Sequence, residues 1–402
     1  MRLARRRVRV NSILRYGAAS AQERRAAVDA ACREILERNW VASAGYTLPN
    51  RRKYPWMWLW DSCFHAIARS RFGDPRCVTE LETVFSLQLP SGFVPHMGYL
   101  TKPRAALRLW HAPGRSDITQ PPMYGHALAV LAGRGFAVEH LYGPATAAFR
   151  YLFETRRDPT SGLIRVVHPW ETGCDDSPRW DPADPKPFRE RRWNIKKREL
   201  VRSLELRDGA ACGNRHFDVC SAGFSALVAF NARELGTLTA DGDLLASSAA
   251  LAAALERRWV QSRRTWGDLV LAGPRRASEA RTLDALFAVL VNERREHVDA
   301  AFAEIFDPAS FWRAHGPSGT SADEPSYDPR RYWRGDAWPQ ELYLLMVAAR
   351  RRGREDDARR LGERLLLGCV GSGFAERWNS ATGAGLGAIP QGWAALAGEG
   401  LR

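Results

Sequence analysis

Four carboxylates, two tryptophans and an arginine lie within the fourteen residues 168–181 of this chain, HPWETGCDDSPRWD. A glycosidic bond breaks when one carboxylic acid protonates the leaving oxygen while a second carboxylate activates water or attacks the sugar. Indole rings offer flat apolar faces to the sugar. The plainer alternative is a loop whose acidic side chains only cap turns and helix ends. Because of the tryptophans we favour a carbohydrate-cleaving pocket, with four candidate acids: Glu171, Asp175, Asp176 and Asp181.

Residues 54–65, YPWMWLWDSCFH, have a similar composition. Three tryptophans fall on one side of an extended run, at positions 56, 58 and 60. The run ends at Asp61, which either caps the following helix or binds two sugar hydroxyls. We therefore count this segment as a second candidate wall of the pocket.

Two later segments complete the set. In residues 331–338, RYWRGDAW, Arg334 is free to bind a carboxylate or a hydroxyl, and Trp333 and Trp338 offer stacking faces. Glu376 lies in the turn-rich segment 373–383. Nine of the fifteen tryptophans lie in or beside these four segments, whereas a core would spread them, although core packing is the simpler explanation for any one of them.

Helices must position these loops, because apolar residues recur mostly at helical spacing. The pattern predicts about twelve helices, from residues 21–38 to 392–401, joined in pairs by short connectors. Strand-like alternation is limited to 92–99 and 163–168, and residues 182–216 are predicted to be irregular. We expect an all-α fold with short β hairpins, an (α/α)6 barrel whose inner helices surround a central funnel. A helical solenoid would share the periodicity, but no repeat of fixed length is evident.

Length and composition predict one large domain over residues 1–402. The chain is 45% hydrophobic and has no low-complexity linker. No stretch approaches the roughly eighteen apolar residues of a membrane-spanning helix, and the basic N-terminus lacks the apolar part of a signal peptide. The seven cysteines are scattered without a Cys-x-x-Cys pair, which argues against disulfides and a structural zinc site. We therefore expect reduced thiols and a cytoplasmic protein.

The net charge of +14 admits a nucleic acid, a membrane surface or an anionic small substrate as partner. The basic runs at 5–7, 189–192 and 350–352 are separated by long stretches with interspersed acids, and no nucleic-acid-binding module is recognisable. Solvated surface is the default interpretation. We predict a small carbohydrate as the partner, neither nucleic acid nor membrane, and a positive field remains compatible with an acidic sugar derivative.

In its motifs and their order the chain resembles glycoside hydrolase family 63, and within it the bacterial mannosylglycerate and glucosylglycerate hydrolases. Five blocks carry the resemblance in order over roughly residues 54–393. They are residues 58–65 (WLWDSCFH), 119–122 (TQPP), 168–180 (HPWETGCDDSPRW), 332–338 (YWRGDAW), and Glu376 followed by Thr382 and Gly383.

The resemblance implies an (α/α)6 barrel, an inverting mechanism on an α-linked glucosyl or mannosyl group, and no metal or other cofactor. It matches Asp175 to the general acid and Glu376 to the base that activates water. Inversion needs carboxyl groups about 6.5–9.5 Å apart, which two separate loops can supply and the adjacent Asp175 and Asp176 cannot easily supply. A like-charged neighbour, Asp176 or Glu171, would help to keep Asp175 protonated. The implied sugar contacts are Tyr54, Trp60, Asp61, Gln120, Trp170, Tyr332, Trp333 and Trp338.

The chain departs from the family pattern at two places. Asp336 stands where the family usually has proline after the glycine, and Asn379–Ala381 replace a segment in which proline is common. If the aglycone is glycerate, its carboxylate needs a cation, which Arg179, Arg215 or an arginine between positions 189 and 202 could supply.

Two alternatives stay open. A trehalase-like or debranching-type α-glucosidase would act on neutral oligosaccharides with the same barrel. A non-catalytic carbohydrate-binding protein would keep the aromatic funnel and lack a catalytic carboxylate, yet acids occupy both matched positions.

Overall fold

A computed structural model describes residues 20–184 and 186–401, and the basic run at 5–7 lies outside them. The described chain is mostly helical. It contains eleven α-helices: α1 (Ala21–Asn39), α2 (Leu59–Ser70), α3 (Arg76–Phe85), α4 (Tyr124–Gly133), α5 (Tyr142–Thr155), α6 (Glu190–Arg202), α7 (Ala222–Thr239), α8 (Gly242–Glu256), α9 (Arg295–Phe306), α10 (Pro339–Arg351) and α11 (Glu355–Ser372).

Several helices begin where the sequence supplies a cap. Ser20 and Glu23 form a capping box at α1, in which each side chain accepts a hydrogen bond from the backbone N–H of the other. The side chains of Ser221 and Asp241 cap α7 and α8, where each accepts one hydrogen bond from a backbone N–H of the first turn. Pro339 occupies the first position of α10, where its missing N–H has no cost.

Consecutive helices pack against each other, as α2 does with α3, α7 with α8 and α10 with α11. The C-terminal 3-10 helix Gly392–Leu401 packs against α1, α2 and α11, so the two ends of the described chain meet. Most buried apolar side chains belong to one continuous cluster that runs from α1 to this last segment. A smaller cluster lies around Met97, Trp110 and Ala211.

Three predictions about helices need correction. Residues 182–216 contain helix α6, whose buried side is a narrow stripe of Trp193, Leu200 and Val201 with Lys197. Exposed basic residues around this stripe hid its helical period. The predicted helices near 282–291 and 392–401 are 3-10 helices; the first, Asp284–Leu290, is buried on every side. The other 3-10 segments are Pro103–Arg108, Glu139–Leu141, Pro169–Thr172 and Pro178–Ala183.

Short strands are more numerous than an all-α fold would have. The strands are β1 (Trp40–Val41), β2 (Tyr46–Thr47), β3 (Met57–Trp58), β4 (Met97–Gly98), β5 (Arg165–Val166), β6 (Leu204–Arg207), β7 (Ala210–Asn214), β8 (Val219–Cys220), β9 (Trp259–Val260), β10 (Thr265–Trp266), β11 (Asp268–Val270), β12 (Arg276–Ser278), β13 (Trp312–Arg313), β14 (Gly316–Pro317), β15 (Arg377–Trp378) and β16 (Gly385–Leu386). Among the described residues, six antiparallel pairs connect successive strands, and a four-stranded antiparallel sheet has the order β12-β11-β8-β5, with Val166 opposite Val219.

Two of these strands lead directly to candidate residues. The 168–181 segment follows β5, and Glu376 immediately precedes β15.

All seven cysteines are free thiols, six of them buried, as predicted. Across residues 20–184 and 186–401, no helix combines the length and apolar character needed to cross a membrane.

Candidate active site

A cavity of about 570 Å³ opens between the loops that the sequence singled out. Eight of the predicted site residues line it: Tyr54, Trp60, Asp61, Gln120, Trp170, Asp175, Tyr332 and Glu376. Three further candidates line it as well: the candidate acid Asp176, Trp58 of the predicted second wall, and Arg198, one of the arginines considered for a glycerate carboxylate. Lining residues to which the sequence assigned no role include Lys53, Lys197, Arg377, Gln391 and Trp393. Lys53 is next to a predicted residue, whereas Lys197 and Arg198 lie on the unpredicted helix α6.

Glu376 is buried and accepts three hydrogen bonds. The Tyr54 hydroxyl donates to its Oε1 at 2.7 Å, and the Lys53 ammonium and the backbone N–H of Ala388 donate to its Oε2 at 2.9 and 2.7 Å. Burial and the nearby Glu376 raise the pKa of Tyr54, so this hydroxyl keeps its proton. Together the three donors hold the Glu376 side chain in one orientation in the cavity wall.

The backbone opposite Glu376 requires glycine. Gly387 has φ = 76°, and a Cβ there would come within 2.2 Å of the Glu376 Oε2. The Glu376 N–H donates to the Ala388 carbonyl at 2.8 Å. The Ala388 N–H in turn donates to the Glu376 side chain. These two bonds fix the carboxylate against the segment that follows β16.

Asp175 lies in the loop after the 3-10 helix Pro169–Thr172. Gly173, at φ = 74°, turns the chain, and a Cβ on it would come within 2.4 Å of the Trp60 ring. The Trp193 indole N–H of α6 donates to the Asp175 carbonyl at 2.9 Å. None of the described side chains donates to the Asp175 carboxyl group, which is half-buried and faces the cavity.

These surroundings raise the pKa of Asp175 to about 7, chiefly through burial. The carboxylates of Asp176 and Glu376 raise it further, and the Lys197 ammonium opposes them. Asp176 itself is buried and paired with Lys197. Glu171 does not approach Asp175 as a like charge, because it forms a buried ion pair with Arg156 and accepts the Val167 N–H at 2.7 Å.

Two polar side chains at the base of the cavity fit a sugar's hydroxyl groups. Asp61 lies in the first turn of α2, accepts a hydrogen bond from the Gln391 side chain at 3.4 Å, and has a pKa raised well above its ordinary value by burial. The Gln120 side-chain oxygen accepts a hydrogen bond from the backbone N–H of Trp60 at 3.5 Å. The indoles of Trp60 and Trp170 supply apolar surface.

Trp333 and Trp338, predicted sugar contacts, lie behind the cavity. Their rings stack at 3.8 Å with an interplanar angle of 9°. Trp338 meets Trp393 edge-on at 5.9 Å, and Trp393 lines the cavity. The backbone of Trp333 has φ = 61°, an uncommon conformation for a bulky residue that this stacking helps to hold. The two rings support the cavity wall.

Arg334 and Arg179 also lie outside the cavity lining. Arg334 pairs with Asp181 through two hydrogen bonds of 3.0 and 2.6 Å. Arg179 is buried, with its guanidinium paired to Asp268 and Asp284. This placement does not support the prediction of substrate contacts, since each guanidinium already has buried or half-buried carboxylate partners.

One group among the described residues has the spacing of metal ligands. The ligating atoms of Cys174, Asp284 and Glu341 lie within 4.8 Å of one another. Arg179 already pairs with Asp284, and burial raises the pKa of both the Cys174 thiol and Glu341 well above their ordinary values. Protonated thiol and carboxyl groups are poor ligands, so these residues do not favour a metal.

Comparisons with known proteins show the family of this chain. A family model described as the mannosylglycerate hydrolase MGH1-like glycoside hydrolase domain matches residues 54–394. Mannosylglycerate hydrolase from Rubrobacter radiotolerans is 28% identical over 90% of this chain and 93% of its own length. Glucosylglycerate hydrolase from Mycolicibacterium hassiacum is 27% identical over 86% of this chain and 91% of its own length.

The fold is shared with a solved structure. The family 63 mannosylglycerate hydrolase from Thermus thermophilus, in complex with Tris and D-glycerate, superposes with a TM-score of 0.77 at 23% identity. The superposition covers 92% of this chain and 98% of that protein.

Proposed function

This chain belongs to the MGH1-like glycoside hydrolase family, and we propose that it is an inverting hydrolase that releases an α-linked mannosyl or glucosyl group from glycerate. One observation carries the proposal. A single cavity contains two carboxyl groups from distant parts of the chain: Asp175, whose pKa burial raises to about 7, and Glu376, which accepts hydrogen bonds from three donors.

In the proposed reaction Glu376 takes a proton from a water molecule as the water oxygen attacks the anomeric carbon. Asp175 gives its proton to the glycosidic oxygen as the bond to the aglycone breaks. The attack comes from the face opposite the leaving group, so the sugar is released with inverted configuration. The Tyr54 hydroxyl and the Lys53 ammonium hold the carboxylate of Glu376 in one orientation.

The charges of the cavity support an anionic aglycone. Three of its cations have carboxylate partners: Lys53 with Glu376, Lys197 with Asp176, and Arg377 with Asp336. Arg198 lines the same cavity, and none of the described residues pairs with it.

The position of Arg198 on its helix also favours a contact with the leaving group, which the proposed acid protonates. Arg198 follows Lys197 on α6, the helix that contacts the loop of the proposed acid. A guanidinium is suited to hold a carboxylate through two parallel hydrogen bonds. We therefore assign Arg198 to the glycerate carboxylate, in preference to Arg179, which is enclosed in the core, and to Arg215, which is exposed and bonded to His216.

Relatives that share this family are named for mannosylglycerate and glucosylglycerate, and one was solved with D-glycerate bound. The paired helices and the shared fold support the (α/α)6 barrel as the finer description, with residues 1–402 as one catalytic domain. Cytoplasmic location stays a prediction.

The proposal is tested by hydrolysis of mannosylglycerate, glucosylglycerate, trehalose and an α-linked gluco-oligosaccharide, with the anomer of the fresh product read by NMR. We expect turnover of a sugar-glycerate with inversion. Turnover of only the neutral substrates would identify a trehalase-like enzyme, and retention of configuration would contradict the mechanism. A folded protein that binds sugar without turnover of any substrate would support a binding protein.

One variant tests the assignment of Arg198 to the glycerate carboxylate. Arg198→Met removes the cation proposed for the carboxylate, so KM for the sugar-glycerates should rise roughly tenfold or more. Arg202→Met is the matched control, because Arg202 is exposed at the end of the same helix and does not line the cavity. An equal effect of both variants would contradict the assignment.

A further inference from the structure

Asp336 is a fully buried carboxylate with two specific donors. The Arg377 Nη1 donates to its Oδ2 at 2.6 Å, and the Trp338 indole N–H donates to its Oδ1 at 3.0 Å. Burial raises the pKa of Asp336 to about 6, against the effects of Arg377 and Trp338. Asp336 does not line the cavity, so it acts through the side chains that it holds.

Arg377 does line the cavity, immediately after Glu376. Its guanidinium lies over two rings, 5.1 Å from the centre of Tyr332 and 5.9 Å from the centre of Trp338. The backbone is fixed as well, because the N–H and carbonyl of Trp378 bond to Ala337 at 3.0 and 2.8 Å. The Arg377 side chain is therefore oriented by two contacts, one with the aromatic rings of Tyr332 and Trp338 and one with the carboxylate of Asp336.

The Arg377 guanidinium has N–H groups that make no hydrogen bond to the described residues. Among the described residues its hydrogen bonds leave from Nη1, to Asp336 and more weakly to the Arg330 carbonyl at 3.4 Å, and its buried Nε has no partner. A guanidinium carries five N–H groups. Since the buried carboxylate already balances the charge, the remaining N–H groups suit a neutral oxygen better than a second anion.

We propose that Arg377 is a specificity-determining donor to a hydroxyl group of the sugar beside Glu376, and that Asp336 is the residue that positions it. The inference rests on the proposed function only in that the cavity binds the sugar there. Asp336 also fixes Trp338, which supports Trp393 in the cavity wall, so one buried carboxylate orients both a polar and an apolar part of the sugar site.

The test is a binding cycle between protein variants and deoxygenated sugars. The ligands are D-mannose, D-glucose and the 2-, 3-, 4- and 6-deoxy forms of glucose, titrated against tryptophan fluorescence. Wild type should bind one deoxy sugar roughly tenfold more weakly than glucose, because that sugar lacks the hydroxyl bound by Arg377. Arg377→Gln should bind glucose more weakly by the same factor, and should bind that deoxy sugar as wild type does.

Asp336→Asn keeps the size of the side chain and should reproduce part of this pattern. If that variant does not fold, Arg377→Gln and Arg377→Lys carry the test, with folding checked by near-UV circular dichroism. Arg134→Gln is the control, since it breaks another arginine–carboxylate pair, with Glu399, away from the cavity. It should leave every sugar affinity unchanged.

Three results would overturn the inference. They are a uniform loss of affinity for all sugars in Arg377→Gln, no change for any sugar, or no binding of any sugar by wild type. Failure of the proposed function is a separate result, because wild type would then bind sugars with this selectivity and release no product from any glycoside.

Discussion

The loop of Asp175 and the hairpin of Glu376 carry the same functional group in opposite surroundings. Glu376 accepts hydrogen bonds from Tyr54, Lys53 and the backbone, whereas Asp175 has no donor among the described side chains and has a pKa raised to about 7. A carboxyl group is therefore made acid or base by its donors and its burial, and the residue type does not decide it.

The two regions are also supported differently. Buried ion pairs surround the Asp175 loop, with Arg156 on Glu171, Lys197 on Asp176, and Arg179 on Asp268 and Asp284. The Glu376 hairpin also has ion pairs, from Lys53 to Glu376 and from Arg377 to Asp336, but Glu376 is held in addition by backbone hydrogen bonds and by the close approach of a glycine. Removal of a buried charge should therefore disturb the Asp175 loop, and removal of a single donor should disturb Glu376.

The sharpest way to separate the two carboxyl groups is a pair of amide variants. Asp175→Asn and Glu376→Gln should each lower kcat about 10³-fold on the sugar-glycerate, because each removes one proton-transfer group. On the α-glycosyl fluoride, whose leaving group needs no acid, Asp175→Asn should recover most of the lost rate and Glu376→Gln should not. Recovery by Glu376→Gln instead would exchange the two roles.

Removal of a buried cation tests the support of the acid loop. Arg179→Met should lower the free energy of unfolding by about 3–5 kcal/mol, because it leaves two buried carboxylates without their partner. Arg359→Met, which removes an exposed pair with Asp356, should cost less than about 1 kcal/mol. Chemical denaturation measures both. A stable Arg179→Met with only a raised KM would restore Arg179 as a substrate contact.

Loss of one donor tests the base side. Tyr54→Phe removes the hydroxyl that bonds to the Oε1 of Glu376, so kcat should fall roughly 10- to 100-fold, as expected for a hydrogen bond to a charged group. Tyr46→Phe is the control, since Tyr46 is buried outside the cavity. A change in KM alone would show that Tyr54 binds the sugar and does not orient the base.

The pH dependence of kcat/KM tests the role of Asp175, because each variant should move it in a stated direction. In the proposed mechanism Asp175 acts in its protonated form, so kcat/KM should fall as the pH rises through about 7. Asp176→Asn removes a like charge and frees Lys197, so this alkaline limb should move to lower pH. Lys197→Met should move it to higher pH. The exposed Lys186→Met changes net charge equally and should leave it in place. Shifts of equal sign in the first two variants would contradict this account.

Local patterns were enough to predict most helices and the position of the site. Helix periods and caps operate within a few residues of each other, so α1, α2 and α10 could be predicted from them. The polar and aromatic blocks identified eight residues that line one cavity, including Asp175 and Glu376. Such residue types are informative by themselves, because few other environments collect carboxylates and indoles in loops.

Only the tertiary structure decided which charges meet. Arg179 pairs with carboxylates 89 and 105 positions away, and Arg377 with one 41 positions away, whereas Arg198 meets none among the described residues. The sequence shows the same residue type at all three positions. Burial and pairing are properties of packing between distant segments, and for that reason the chain alone determined the chemistry available while the fold determined where each charge acts.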